Sequence, residues 1–387
     1  VAVKVVRQPN KIALLGAPTS AAAMSLGHER GPAALRAAGL VEKLSSIGYL
    51  VTDLGDDPVQ EFKPDNESPR ARNLPGVLAE IEALKPRVEL AVKSGALPLI
   101  LGGDCSIALA AVAGARRYFR HMSMIYVDRD ADLNTPATTP SGSVDGMVVS
   151  HLTGRGAPEL VRFWGEPPLV REPDLALFGV ERLDPPEEDL LQQSPLRRYL
   201  AKDVKRKGAT AAAQEALDRI RGNGNQFILH FDVDVIADFE ATNYPGSGGL
   251  SLEEVREALL VFVQQKHLAA IEVTAYNPSK DSDGRAAKMI VDLLAEVLAA
   301  RLDKLNEAAA AAVPDLSAGS TPAGKAPTED AVLAQGGHEA PLPSPEAGEA
   351  WSSDSLDTEG EPDPDESDSA GRDAGRASSG ESDGSSS

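Results

Sequence analysis

Asp128-Arg-Asp-Ala-Asp-Leu-Asn-Thr-Pro-Ala-Thr-Thr-Pro-Ser-Gly-Ser-Val-Asp-Gly146 follows directly on the apolar run Met122-Ser-Met-Ile-Tyr-Val127. The length and β-branched content of that run suit a buried strand, so the acids begin where the strand ends. Asp128, Asp130 and Asp132 repel one another if all are ionised in a low-dielectric site, and relief comes from a bound cation or a retained proton. A solvated acidic turn is the alternative reading of such a triplet. A second run, Gln226-Phe-Ile-Leu-His-Phe-Asp-Val-Asp234, favours the cation: it is another apolar strand closed by alternating acids, with Asp232 and Asp234 expected on one side.

Strands and helices alternate outward from this centre. Lys11–Pro18, Tyr49–Leu54, Pro98–Leu101, the run from Asp174 and Ala269–Thr274 read as further strands. Gly31 onward, Val77–Lys93, Val255–Gln265 and Gly284–Leu305 read as helices. Ser251 and Glu254 have the spacing of a capping box. The expected fold is α/β: a single large domain over residues 1–305, with a mostly parallel sheet and helices on both faces.

From residue 306 to 387 the composition shifts to Ala, Ser, Gly, Pro, Asp and Glu, and this segment carries about fifteen of the 21 excess negative charges. It reads as a disordered acidic low-complexity tail, leaving the folded part mildly acidic. One cysteine excludes an intramolecular disulfide framework and suits a reducing compartment. The N-terminal residues lack a signal peptide's apolar segment and no run reaches transmembrane length, so a cytoplasmic location is expected. No basic or aromatic cluster offers a nucleic-acid surface, and the net charge opposes phosphate binding. Neither a nucleic-acid nor a membrane partner is expected; oligomeric state is left open, a homo-oligomer included.

With Gly102-Gly-Asp-Cys-Ser106 added, the acidic strand ends resemble the arginase and agmatinase (ureohydrolase) family over about residues 11–300. That family carries Gly-Gly-Asp-His-Ser, Asp-Ala-His-Ala/Thr-Asp and Phe-Asp-Val-Asp around two manganese ions. Asn-Thr-Pro-x-Thr-Thr-x-Ser-Gly, from Asn134 to Gly142, is specific to its arginase branch. The resemblance implies two divalent ions, manganese foremost, held at Cys105, Asp128, Asp130, Asp132, Asp232 and Asp234, with Asp128 and Asp232 bridging. Two of these positions depart from the pattern, because Cys105 and Asp130 stand where the family has histidine. Five carboxylates then share the site, which raises its need for cations; the thiol draws one position toward softer metals.

The resemblance also implies an α-amino acid substrate, its carboxylate held by Asn134 and Ser141 and its amino group by Asp184 and Glu187. The family's proton-shuttling histidine aligns with Asp145, and the glutamate that holds the guanidinium aligns with Ala275, so the head-group end is rebuilt. The leading expectation is a metal-dependent hydrolase of a carbon–nitrogen bond in a guanidino or related amino acid. In it Asp132 accepts a hydrogen bond from the attacking oxygen and Asp145 delivers a proton to the leaving amine. A non-catalytic amino-acid-binding relative and an enzyme using Cys105 as nucleophile are the alternatives. His28 reads as a solvated loop residue, and His230 as an ordinary buried polar residue on the face of Asp232.

Overall fold

The computed structural model of the chain describes residues 5–119, 121–220 and 226–311. Among the described residues are eight strands, apolar and buried in the middle of the sheet and more polar at its two edges: β1 (Lys11–Ala17), β2 (Leu50–Asp56), β3 (Leu97–Gly102), β4 (Met122–Val127), β5 (Leu175–Val180), β6 (Arg197–Leu200), β7 (Gln226–Asp232) and β8 (Leu268–Thr274). All pair in parallel in one sheet of order β2-β1-β3-β8-β7-β4-β5-β6.

Side chains alternate between two cores, as a strand's period of two requires. On one face Ile12, Leu14, Leu99, Leu101, Ile125 and Val127 meet Leu35, Leu44, Phe262 and Leu298 from helices Gly31–Ala37, Leu40–Ser46, Leu252–Val263 and Arg285–Ala311. On the other face Ala13, Leu15, Ile100, Met124 and Tyr126 meet Ile81, Leu84, Leu109 and Val112 from helices Leu74–Lys93 and Ile107–Ala115. Because both faces are covered, the central strands are mostly apolar, with Ser123, His230 and Glu272 among the buried exceptions. Every strand's C-terminal end lies at one edge of the sheet. β3 and β4 are consecutive strands separated in space by β8 and β7, a break in order of the kind at which open parallel sheets bind ligands.

The expected α/β architecture is the observed one, with local differences. The strand under the first acidic stretch stops at Val127 and β7 at Asp232, with Val233–Val235 in a 3-10 turn. Strand pleating therefore does not align the alternating acids. Helix Ile107–Ala115 and the segments Arg197–Leu200, Ala201–Lys207 and Ala209–Ile220 were not anticipated. The first of these is buried on every side, so its sequence carries no amphipathic period. Ser251 and Glu254 do form a capping box, with Glu254 N donating to Ser251 Oγ (3.2 Å) and Ser251 N to Glu254 Oε2 (2.8 Å).

The last helix runs to Ala311, six residues past the expected boundary at residue 305. The rest of the acidic segment, residues 312–387, lies outside the described residues. Among the described residues no helix is long and apolar enough to cross a membrane.

The turn after β3 is fixed by close backbone contact: a Cβ on Gly103 would sit 1.7 Å from the carbonyl oxygen of Thr19. Gly103→Ala forces two main-chain segments apart, and the expected cost is roughly 2–3 kcal/mol of stability. Denaturant unfolding of both proteins measures it; an unchanged midpoint would mean that the turn yields.

Candidate active site

The edge formed by the strand C-termini opens into a cavity of about 580 Å³. All the expected metal positions, Cys105, Asp128, Asp130, Asp132, Asp232 and Asp234, line it, as do Asp145 and the expected substrate contacts Asn134, Ser141, Asp184 and Glu187. Local hydrogen bonding turns the acids inward. Asp128 Oδ1 accepts from Asp130 N (2.7 Å), and Asp232 Oδ1 accepts from Asp234 N (2.7 Å), so each strand end closes in the same small turn. Asp132 has φ 50°, a left-handed conformation, and its Oδ2 accepts from the Tyr126 hydroxyl (2.5 Å).

The Gly-Gly-Asp-Cys loop is pinned by Asp104, whose Oδ2 accepts from Ala22 N (2.9 Å) and Oδ1 from Ser106 N (3.1 Å). Cys105 is thereby held with its Sγ 3.0 Å from Asp232 Oδ2 and 3.5 Å from Thr274 Oγ1. Burial pushes the thiol's pKa well up, and Asp232, Asp145, Asp128 and Asp132 add to this. Asp145 joins the loop to a more distant segment: its Oδ1 accepts from Cys105 N (2.8 Å) and its Oδ2 from the Tyr244 hydroxyl (2.8 Å). Desolvation, then Asp104, raise its pKa to about 7.

Two sets of side chains bring ligand atoms within 4.8 Å of one another: Cys105, Asp128, His230 and Asp232; and Asp128, Asp130 and Asp234. Asp132 and Asp145 belong to neither set. His230 is fully buried, with Nδ1 2.8 Å from Glu272 Oε1 and Nε2 4.0 Å from Asp128 Oδ2, and its ring stacks on Tyr126 at 4.0 Å. It is thus built into the cluster and is more than an incidental polar residue. Glu272, an acid in the middle of an apolar strand, was the sequence signal for such a partner.

The second set already meets cations. Arg182 Nε donates to Asp130 Oδ1 (2.7 Å), and its Nη2 donates to Asp130 Oδ2 and to Asp234 Oδ2 (3.0 Å). Arg129 is buried, with Nη2 3.4 Å from the same Asp234 oxygen. Asp234 Oδ1 has no hydrogen-bond partner among the described residues. Neither arginine was assigned a role from sequence, although Asp-Arg-Asp displays one of them openly.

At the substrate end, Asn134 Nδ2 donates to Asp184 Oδ2 (2.8 Å). Both Glu187 oxygens accept backbone donors, Leu133 N (2.9 Å) and Asp184 N (2.8 Å). Glu187 therefore also shapes the loop. Ser141 Oγ accepts from Ser143 N (3.1 Å). Ala275 is buried at φ 65°, its N donating to Gly103 O (2.8 Å).

The expectation for His28 fails: it is fully buried, its Nε2 accepts from Asn243 N (3.3 Å), and its ring packs edge-on to Tyr244 at 5.8 Å. The loop folds under Tyr244 instead of into solvent. Desolvation lowers its pKa to about 3.

The sequence profile of the arginase family matches residues 10–300. Arginase from Bacillus subtilis is 31% identical over 292 residues, covering 75% of this chain and 98% of the relative. Arginase from Bacillus caldovelox is 30% identical over 295 residues, covering 75% and 99%. The crystal structure of arginase from Bacillus cereus superposes with a TM-score of 0.69 at 29% identity, covering 75% of this chain and 98% of that one.

Carboxyls that hold protons in the folded state but lose them on unfolding make stability fall as pH rises between the two pKa values. Asp145, raised to about 7, and Glu80, raised to about 8 by burial and then by Asp57, both do this. The buried His28 and His151, lowered to about 3 and about 4 by desolvation, act oppositely, but only below their ordinary value of 6.5. From pH 6.5 to 8 the carboxyls decide, at up to about 1.4 kcal/mol per group per pH unit. In the presence of a chelator the melting temperature is expected to fall steadily over that range. A flat calorimetric profile would mean that these acids are already ionised in the fold.

Proposed function

Because the chain belongs to the arginase family, we propose that it is a metal-dependent hydrolase of a carbon–nitrogen bond in a guanidino or related α-amino acid. The observation that carries this reading is the convergence of Cys105, Asp128, His230 and Asp232, whose ligand atoms lie within 4.8 Å of one another, with Cys105, Asp128 and Asp232 lining the cavity. The donor set fits a divalent ion. Its carboxylates crowd together with raised pKa values, chiefly from burial, and an ion relieves that repulsion. Nδ1 of His230 faces Glu272, and its Nε2 lies on the cluster side, 3.3 Å from Thr274 Oγ1 and 4.0 Å from Asp128 Oδ2. Manganese suits the oxygen-rich part, and Cys105 tilts the site toward softer ions.

The sequence expectation was two ions. The second set, Asp128, Asp130 and Asp234, fits less well, because Arg182 and Arg129 already bond its oxygens. Cys105, Asp128, His230 and Asp232 would hold a divalent ion, which would supply Lewis acidity for activating water and polarising the planar carbon.

The chain's own groups do the rest. Asn134 and Ser141 receive the α-carboxylate, and Asp184, held by Asn134, receives the α-ammonium with Glu187 behind it. Asp132, its Oδ2 fixed by Tyr126, keeps Oδ1 for a hydrogen bond from the attacking oxygen. Asp145, near pH 7 in its titration and tethered by Tyr244, delivers the proton to the leaving amine as the carbon–nitrogen bond breaks. Ala275 offers no carboxylate to a guanidinium, which favours a modified or shortened head group over that of arginine. Cys105 as nucleophile is disfavoured, since its surroundings hold the thiol protonated.

Turnover is tested by incubating the manganese-loaded protein with arginine, hydroxyarginine, agmatine and shorter guanidino acids. Hydrolysis of at least one α-amino acid, with kcat/KM at least about tenfold above agmatine, is expected from the Asn134–Asp184 pair. Saturable binding without turnover of any of them would leave an amino-acid-binding relative. A complementary measurement addresses the ion: Asp232→Asn, which removes a carboxylate central to the first set, is expected to lose bound metal and activity together. Full metal retention in the variant would sink the assignment.

A further inference from the structure

The cations that already face Asp130 and Asp234 fill the place where a second ion is expected. Arg182 grips Asp130 with two parallel donors, Nε at 2.7 Å from Oδ1 and Nη2 on Oδ2, and the same Nη2 reaches Asp234 Oδ2 at 3.0 Å. Arg129 Nη2 lies 3.4 Å from that same oxygen. Asp130 and Asp234 are two of the three residues of the second candidate set. We propose that Arg182, supported by Arg129, is a built-in cation standing in place of the second divalent ion, so that the centre holds one exchangeable ion, at Cys105, Asp128, His230 and Asp232.

Backbone geometry delivers the guanidinium to that spot. Glu181 N and Arg182 N both donate to Arg129 O (2.8 and 3.0 Å), and Asp130 and Arg182 face each other across an isolated parallel bridge. The loop after β5 is thereby aligned with the loop after β4. The residue type at 130 agrees. A planar fork of N–H donors matches a carboxylate with two acceptor oxygens. An imidazole there presents one lone pair at most and, once protonated, repels the arginine. Aspartate at 130 and arginine at 182 thus account for each other. A guanidinium stays charged at every working pH and is covalently part of the chain, so this cation cannot be removed by a chelator.

The inference rests on the metallohydrolase reading only for the first ion, and the test separates the two. The parent chain, Arg182→Met and Arg182→Lys are equilibrated with manganese and dialysed. Metal per folded chain is then measured by elemental analysis, with folding checked by circular dichroism. One ion per chain is expected for the parent and for Arg182→Lys, and two for Arg182→Met. Arg182 is partly exposed, with 40% of its side chain accessible, so the methionine variant is expected to fold. Two ions in the parent overturn the stand-in, and that result holds whether or not a variant folds. No additional ion in folded Arg182→Met overturns it too, as does an equal gain in Arg182→Lys. No ion in the parent removes the metallohydrolase reading, while the difference between parent and Arg182→Met still decides the stand-in.

Discussion

Packing several carboxylates at one low-dielectric edge of a parallel sheet is the constraint on which the rest of the site depends. Asp128, Asp132, Asp232 and Asp234 are each at most 5% exposed, and water does little to screen them. Neutralisation comes from three sources in this structure. Backbone donors cap individual oxygens, the Tyr126 and Tyr244 hydroxyls take one oxygen each of Asp132 and Asp145, and two arginines sit on Asp130 and Asp234. Among the described residues no arginine bonds the donor set around Cys105 and Asp232, and that is where the proposed divalent ion is placed.

Much of this was legible in the sequence because a parallel sheet gathers all its strand C-termini at one edge. Apolar runs ending in acid at Asp128 and Asp232, and a Gly-Gly turn before Cys105, had to converge once the strands were parallel. The substrate-end residues Asn134, Ser141, Asp184 and Glu187 came from the family resemblance and not from spacing, since the last two lie far along the chain from Asp132. Pairings set by register between distant segments were less legible. Arg182 meets Asp130 because the loop after β5 hydrogen-bonds along the loop after β4. His230 meets Glu272 because β7 and β8 are neighbours and those residues are partners in the ladder. His28 was misjudged because its burial depends on Tyr244, which is far away in sequence.

Fold and chemistry are coupled through the same few contacts. Asp104 and Gly103 hold the turn that presents Cys105, while Asp145 accepts from the backbone nitrogen of Cys105 and so couples its own position to that turn. Tyr126 extends the coupling, supporting Asp132 by its hydroxyl and His230 by its ring. A side chain with two such duties tolerates little movement, which suits a site whose groups must be placed before substrate arrives.

The parallel bridge between Asp130 and Arg182 also bears on how such a site changes over time. Replacing Asp130 by histidine while Arg182 remains leaves the guanidinium without its bidentate acceptor. Replacing Arg182 while Asp130 remains adds an uncompensated carboxylate beside Asp128 and Asp234. Either single step passes through a charge imbalance that the double step avoids, so the effect of each residue depends on the other. Two positions 52 residues apart in the chain are thereby bound into one unit of sequence variation.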